Sequence, residues 1–185
     1  MKTPFALCAA ALASALALAA LPAQAEEFRC TGTVGAVSLV NIFVPDGASC
    51  VLNRTRAQGS IVVGTGATLL ATSVAVVGNL QAEGAADVTV TGRSTFGGSV
   101  QIVQGGSASI SKARINGDIL FDEQTGPVTA SGNIVGGVLQ AFQNTGGVTL
   151  LNNRMNGNLQ CKENIPAPTG GGNRAPLKED QCARL

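Results

Sequence analysis

The chain has 185 residues, with 12 basic and 11 acidic side chains and no His, Trp or Tyr. The absence of His excludes the catalytic triads that use imidazole as the general base. The absence of Trp and Tyr argues against aromatic stacking platforms for sugars or bases, and the balanced charge does not indicate a nucleic-acid partner or an anionic membrane surface.

The first 25 residues predict a signal peptide. Lys2 provides the positive start, residues 6–21 form an apolar run, and the Ala-Gln-Ala sequence at 23–25 is a cleavage site. No later segment approaches the 18 or more apolar residues of a membrane helix, so we expect no membrane insertion. The predicted mature chain is therefore exported, to the periplasm or the cell exterior.

A short repeat of the form apolar-x-Gly-x-apolar recurs along the mature chain. Its steps are 18 to 21 residues long, which is typical of a solenoid. The first copy carries asparagine in place of glycine. The central residues of the seven copies are Asn41, Gly59, Gly78, Gly98, Gly117, Gly136 and Gly157.

Each repeat also contains a second short alternation of apolar and polar residues, such as Val88-x-Val90, which is typical of a β-strand. We therefore predict an all-β protein, a single parallel β-helix of about seven short coils. The repeat glycines are expected at corners that need positive φ or lack room for a Cβ, and Asn41 suits positive φ. A flexible glycine-rich chain and an antiparallel β-sandwich are the alternatives, but neither requires so strict a glycine register.

Four cysteines remain in the mature chain, which predicts two disulfides in an oxidising compartment. The two ends of a seven-coil stack lie about 30 Å apart. A disulfide requires Cα atoms within about 7 Å. The predicted pairs are therefore Cys30 with Cys50 and Cys161 with Cys182, one at each end. Metal binding is not expected, since there is no CxxC pair and no histidine.

The predicted organisation has four parts. Residues 1–25 are the signal peptide, 26–50 an N-terminal cap with the first coil, 51–161 the β-helix repeats, and 162–185 a C-terminal capping segment. The proline- and glycine-rich stretch after residue 161 predicts an irregular segment that covers the last coil and is not itself a coil of the ladder. Such caps cover strand edges that would otherwise invite end-to-end addition.

The closing segment has a recognisable sequence. Residues 157–173 read GNLQCKENIPAPTGGGN and residues 178–182 read KEDQC. With the glycine repeat, it resembles uncharacterised exported bacterial repeat proteins that share a short-coil β-helix motif, over nearly the whole mature chain. The resemblance implies no activity. In repeat length and glycine spacing alone, the chain is similar to bactofilins, cytoskeletal β-helices that polymerise end to end, but it differs from them in its signal peptide and cysteine pairs.

One acidic group is a candidate catalytic site, because β-helices commonly host polysaccharide lyases and hydrolases. Asp118, Asp122 and Glu123 lie in one repeat, just after Lys112 and Arg114. Lyases and hydrolases need carboxylates that bind calcium or flank a glycosidic bond. The neighbouring repeats supply glutamines and no further carboxylates. We therefore interpret the group as a solvated corner and predict no catalytic residue, metal or cofactor.

Glutamines recur one coil apart at Gln81, Gln101, Gln140 and Gln160, with Leu120 interrupting the series. Such a column is typical of a structural hydrogen-bonded ladder. The alternative for this column is a surface that binds a glycan or ice, but the regular Thr-x-Thr column that ice binding requires is present only in fragments. We therefore predict an exported non-enzymatic structural or surface-interaction protein, and the alternative is a carbohydrate-binding or carbohydrate-active module. The candidate partners are a glycan or protein surface and a second copy at the solenoid ends.

Overall fold

The computed structural model describes residues 27–185, and the predicted signal peptide lies outside them. These residues form an all-β solenoid of about eight coils. They include no helix, and so none with the length and hydropathy to cross a membrane. The predicted parallel β-helix is confirmed, with one coil more than expected.

The described residues contain 24 short strands. In chain order they are β1 (Glu27–Arg29), β2 (Thr33–Val34), β3 (Ser38–Leu39), β4 (Asn41–Val44), β5 (Ser49–Asn53), β6 (Arg56–Ala57), β7 (Ile61–Val63), β8 (Thr68–Thr72), β9 (Ala75–Val76), β10 (Leu80–Glu83), β11 (Asp87–Thr91), β12 (Thr95–Phe96), β13 (Val100–Val103), β14 (Ser107–Ser111), β15 (Arg114–Ile115), β16 (Ile119–Asp122), β17 (Val128–Ser131), β18 (Ile134–Val135), β19 (Leu139–Phe142), β20 (Val148–Leu151), β21 (Arg154–Met155), β22 (Leu159–Lys162), β23 (Thr169–Gly171) and β24 (Lys178–Asp180).

From β1 to β23, every third strand joins the same parallel sheet, so the solenoid has three faces. Face 1 contains β1, β4, β7, β10, β13, β16, β19, β22 and β24. Face 2 contains β2, β5, β8, β11, β14, β17, β20 and β23, and face 3 contains β3, β6, β9, β12, β15, β18 and β21. Because a parallel stack pairs each strand with its equivalent in the next coil, one sequence position forms a column along the axis.

Apolar columns fill the interior. On face 1 one column passes through Ile42, Ile61 and Leu80, and these side chains are at most 1% exposed. Alternate residues of each strand point inward, so a period-two sequence puts its aliphatic residues on the inner side. Burying each such side chain contributes roughly 1.5–3 kcal/mol. The columns are therefore the main source of stability.

The repeat glycines are required because there is no room for a Cβ. None of the seven predicted corner residues has positive φ. A Cβ on Gly117 would overlap Ser99 Oγ and lie 2.9 Å from the carbonyl carbon of Gly98. The Ser99 hydroxyl occupies this space because it accepts a hydrogen bond from Asp118 N at 3.0 Å. Crowding, one of the two expected reasons, is correct, and positive φ is wrong.

The same geometry corrects the register at two copies. Asn41 precedes the first core residue of its coil as Ser60 does in the next, and its Oδ1 accepts a hydrogen bond from Ser60 N. Asn41 is thus the residue that fills the space left by Gly59, and not a stand-in for glycine. In the sixth coil, Gly137 and not Gly136 has this role, because Asp118 Oδ1 occupies its Cβ position.

Positive φ is found instead at two other corners, mostly at residues other than glycine. The corner between faces 2 and 3 has positive φ in every coil from the second to the eighth, at Arg54, Ser73, Gly92, Lys112, Gly132, Asn152 and Gly172. The corner between faces 1 and 2 has it at Gly84, Gln104, Glu123, Gln143 and Glu163. These left-handed residues turn the chain, and the sequence pattern did not reveal them.

Two columns of buried amides line the inside of these corners. Asn153 shows the pattern: its Nδ2 donates to Ala130 O at 2.8 Å, while its Oδ1 accepts from Asn133 N at 3.1 Å. The amides therefore satisfy backbone groups that the turns leave without a ladder partner. One column contains Asn133, Asn153 and Asn173. The other contains Gln124, Asn144 and Asn164, and the exposed Gln181 continues it at the C-terminal end.

Both predicted disulfides are confirmed. Cys30 pairs with Cys50 and Cys161 with Cys182, with Cα–Cα distances of 5.5 and 5.2 Å. All four residues are buried. Each disulfide therefore lies in the core at one end of the solenoid, at positions that apolar side chains fill in the other coils.

The C-terminal segment was expected to lie outside the ladder, and this is wrong. β23 pairs in parallel with β20, Arg174 forms a bridge to Arg154, and β24 pairs with β22. Pro166 and Pro168 lie before β23 begins, in the turn between faces, where the ladder requires no N–H donor from them. The segment thus completes an eighth coil.

We expect Gly117→Val to lower the free energy of unfolding by about 2 kcal/mol or more, because the new Cβ must displace backbone of the adjacent coil. Asn116→Ala, at the exposed neighbouring position, should change it by less than about 0.5 kcal/mol. Thermal unfolding of both variants measures the difference. Equal melting temperatures would contradict the crowding explanation.

Candidate functional surfaces

The structure does not bring the three acidic residues of the candidate catalytic group together. Asp118 precedes β16 and Asp122 ends it, so their Cα atoms are roughly 13 Å apart at the rise of a β-strand. Asp118 Oδ1 accepts a hydrogen bond from Val138 N at 2.8 Å, which gives this carboxylate a structural role. Among residues 27–185 no group of three or more potential metal ligands is found.

Asp122 and Glu123 remain adjacent at the corner between faces 1 and 2. Burial raises the pKa of the Asp122 carboxyl, and the nearby Glu123 charge raises it further. Asp122 Oδ1 is buried without a hydrogen-bond partner, whereas Glu123 is exposed and accepts a bond from Gln104 Nε2 at 2.9 Å. Asp122 also lines a shallow groove of about 390 Å³ with Phe142 and Lys162.

Asp122→Asn should stabilise the protein in a pH-dependent way. A raised pKa means that the folded state binds the proton more tightly, so stability is lost as pH rises from the ordinary value of 3.8 through the folded pKa. The free energy of unfolding of the variant should thus exceed that of the wild type only slightly in acid, and the difference should reach a plateau near neutral pH. Urea unfolding across this range measures it.

Glu123→Gln serves as the control for this prediction, because it removes only the smaller of the two causes. It should give a gain of the same sign and smaller size. A gain for Asp122→Asn that does not change with pH would contradict the explanation.

The predicted glutamine column exists on the outside of face 1. Gln81 pairs with Gln101, and Gln140 with Gln160, with Leu120 between the two pairs. Gln140 Nε2 donates to Gln160 Oε1 at 2.7 Å, and Gln160 Nε2 donates to Glu179 at 2.9 Å. The C-terminal part of the column is therefore a hydrogen-bonded ladder, which continues into β24.

Face 2 carries a larger array, which we call the hydroxyl face. Two columns of Thr and Ser lie side by side, with about 4.8 Å between coils and roughly 6.6 Å between columns. The first column contains Thr89, Ser109, Thr129, Thr149 and Thr169, and the second contains Thr72, Thr91, Ser111 and Ser131. The Thr-x-Thr pairs look fragmentary in the sequence because Ser replaces Thr in the fifth and sixth coils and Leu151 replaces it in the seventh.

The charges are segregated among the faces. Seven basic side chains, all exposed, lie on face 3 or on its corner with face 2, and we call them the basic strip. They are Arg54, Arg56, Arg93, Lys112, Arg114, Arg154 and Arg174. The formal net charge of the chain does not reveal this segregation, because it sums over all three faces.

These features define the class of the protein: a three-faced parallel β-solenoid whose ends are closed by disulfides. Searches of protein-family models, curated proteins and solved structures find no match to the chain.

Proposed function

We propose that this chain is an exported, non-enzymatic protein that binds a repetitive surface. The hydroxyl face is the observation that carries the proposal. It presents small hydroxyl groups in successive coils, from the fourth to the eighth in the first column and from the third to the sixth in the second. It therefore matches a partner that also repeats along one direction.

Rigidity supports this role. Backbone ladders hold every hydroxyl-bearing strand except the terminal β23 on both sides, and neighbouring hydroxyls also bond to each other, as in Thr72 with Thr91 at 3.2 Å. A binding surface that is ordered before contact loses little conformational entropy on binding. The two disulfides support export, because such bonds persist in oxidising compartments.

Carbohydrate binding is the second candidate, and the chemistry of the same face favours it. Each hydroxyl both donates and accepts hydrogen bonds, as sugar hydroxyls do. A polysaccharide that lies along the columns can exchange its bonds to water for bonds to successive coils.

Co-sedimentation with insoluble polymers tests the proposal. We expect the mature protein to sediment with at least one of cellulose, chitin or peptidoglycan, and the triple variant Thr89→Val/Thr129→Val/Thr149→Val to lose at least tenfold in affinity. Valine keeps the shape and removes the hydroxyl. The matched control Gln81→Ala/Gln101→Ala, on face 1, should bind as the wild type does.

Failure to sediment with any repetitive polymer would overturn the surface-binding role. Release of reducing sugar from these polymers by the wild type would overturn the non-enzymatic part. Sedimentation with a polysaccharide alone favours the carbohydrate-binding candidate, and loss of binding in the control would show that the hydroxyl face has been misassigned.

A further inference from the structure

The basic strip runs along the axis of the solenoid, and its face 3 column is interrupted by Ala75, Thr95 and Ile134. Arg56, Arg114 and Arg154 begin β6, β15 and β21 and are the outward residues of these strands on face 3. Arg174 bridges to Arg154 in the eighth coil. Six coil steps separate Arg56 from Arg174, so the line is about 29 Å long at one strand spacing per coil.

None of these cations is neutralised within the described residues. The ion pairs there, Arg29 with Glu27 and Lys162 with Glu163, both lie outside the strip. Asp118, at the far margin of face 3, is half-buried and bonded to Val138 N. The other described acidic residues lie on face 1, on face 2 or at the corner between them.

Stability does not explain the arrangement. Arg154 and Arg174 occupy the same column in adjacent coils, and like charges directly opposite on neighbouring strands are destabilising. Lys112 and Arg114 are a second pair of neighbouring positive charges, two residues apart in sequence at the corner between faces 2 and 3. A surface that keeps such repulsion is typical of one that binds an anion.

Two shallow grooves lie along the strip. Arg93, Lys112 and Arg114 line one of about 380 Å³, together with Thr95 and Ile134. The other, of about 400 Å³, is lined by Arg154, Arg174 and Asn156 among others. Each groove thus combines several cations with an uncharged hydrogen-bonding side chain.

We propose that the basic strip binds a linear polysaccharide with carboxylate groups, such as a polyuronate, that lies along the solenoid axis. Guanidinium groups pair with carboxylates in a bidentate geometry, and Thr95 and Asn156 can bond to the hydroxyls between the charges. No exposed aromatic side chain lies on the strip to stack bases, since Phe96 on face 3 is buried. A carboxylated glycan therefore fits better than single-stranded nucleic acid.

This surface is separate from the hydroxyl face, so the inference goes beyond the proposed function and is tested separately. Binding of the mature protein to polygalacturonate is measured by affinity electrophoresis, with dextran as the neutral polymer. We expect binding to polygalacturonate that weakens as salt is raised, and none to dextran. Arg114→Gln/Arg154→Gln/Arg174→Gln should weaken it at least tenfold, with a melting temperature no lower than that of the wild type because the repulsion between Arg154 and Arg174 is removed.

The matched control, Arg29→Gln/Lys162→Gln/Arg184→Gln, removes three exposed charges outside the strip and should stay within twofold of the wild type. An equal loss in both variants would overturn the site. Equal or tighter binding of oligo(dT), or of vesicles of phosphatidylglycerol and phosphatidylcholine, at the same salt would overturn the ligand class. The hydroxyl-face variant should bind polygalacturonate normally, so failure of either proposal is recognised without the other.

Discussion

Replacing Asn153 by alanine should lower the free energy of unfolding by at least about 3 kcal/mol, because it leaves several buried groups without partners. Asn153 is fully buried. Its Nδ2 donates to Ala130 O and to Asn173 Oδ1, and its Oδ1 accepts bonds from the backbone and side-chain nitrogens of Asn133. Each polar group orphaned in this way costs about 1–3 kcal/mol. Urea unfolding measures the loss.

Asn156→Ala is the matched control, since this asparagine lies three residues away in the same coil and is exposed. It should change the free energy of unfolding by less than about 0.5 kcal/mol. Similar values for the two variants would mean that water replaces the buried amide, which would contradict the structural role of the column.

Loss of the C-terminal disulfide should fray the eighth coil and cause self-association. Cys161→Ala/Cys182→Ala opens a loop with a sequence separation of 21 residues, and loop entropy makes the disulfide worth about 3 kcal/mol. A solenoid loses its terminal coils before its centre. β24 would then leave β22, and the exposed parallel edge can pair with a second copy.

Gel filtration at several concentrations measures this effect. The variant should elute as oligomers whose share rises with concentration, while the wild type does not change. A variant that stays monomeric, with the melting temperature of the wild type, would contradict the capping role.

The fold could be predicted from the sequence because coil length and alternation are local properties. Both cysteine pairs followed from the distance between the ends of the stack. The phase of the repeat could not be read from the sequence at the adjacent glycines Gly136 and Gly137. Neither has room for a Cβ, but only Gly137 packs against a side chain of the previous coil, Asp118, as the other repeat glycines do. Asn41 matched the glycine spacing, but its function is to accept a hydrogen bond from the next coil.

The surfaces could not be predicted in the same way, because they depend on which residues share a column. Arg114 and Arg154 are 40 positions apart, with Ile134 between them in the same column. Net charge sums over all faces and so conceals the segregation. The buried amide columns did leave a trace in the sequence, since Asn133, Asn153 and Asn173 recur at intervals of 20 residues.

The length of the solenoid along its axis is set by the number of its coils. Each coil follows the same backbone path and contacts only its two neighbours, so duplicating residues 118–137 within the gene adds a whole layer without changing the path of the others. The rod then grows by about 4.8 Å, one strand spacing. During evolution, the length of the three faces can therefore change only in steps of one coil.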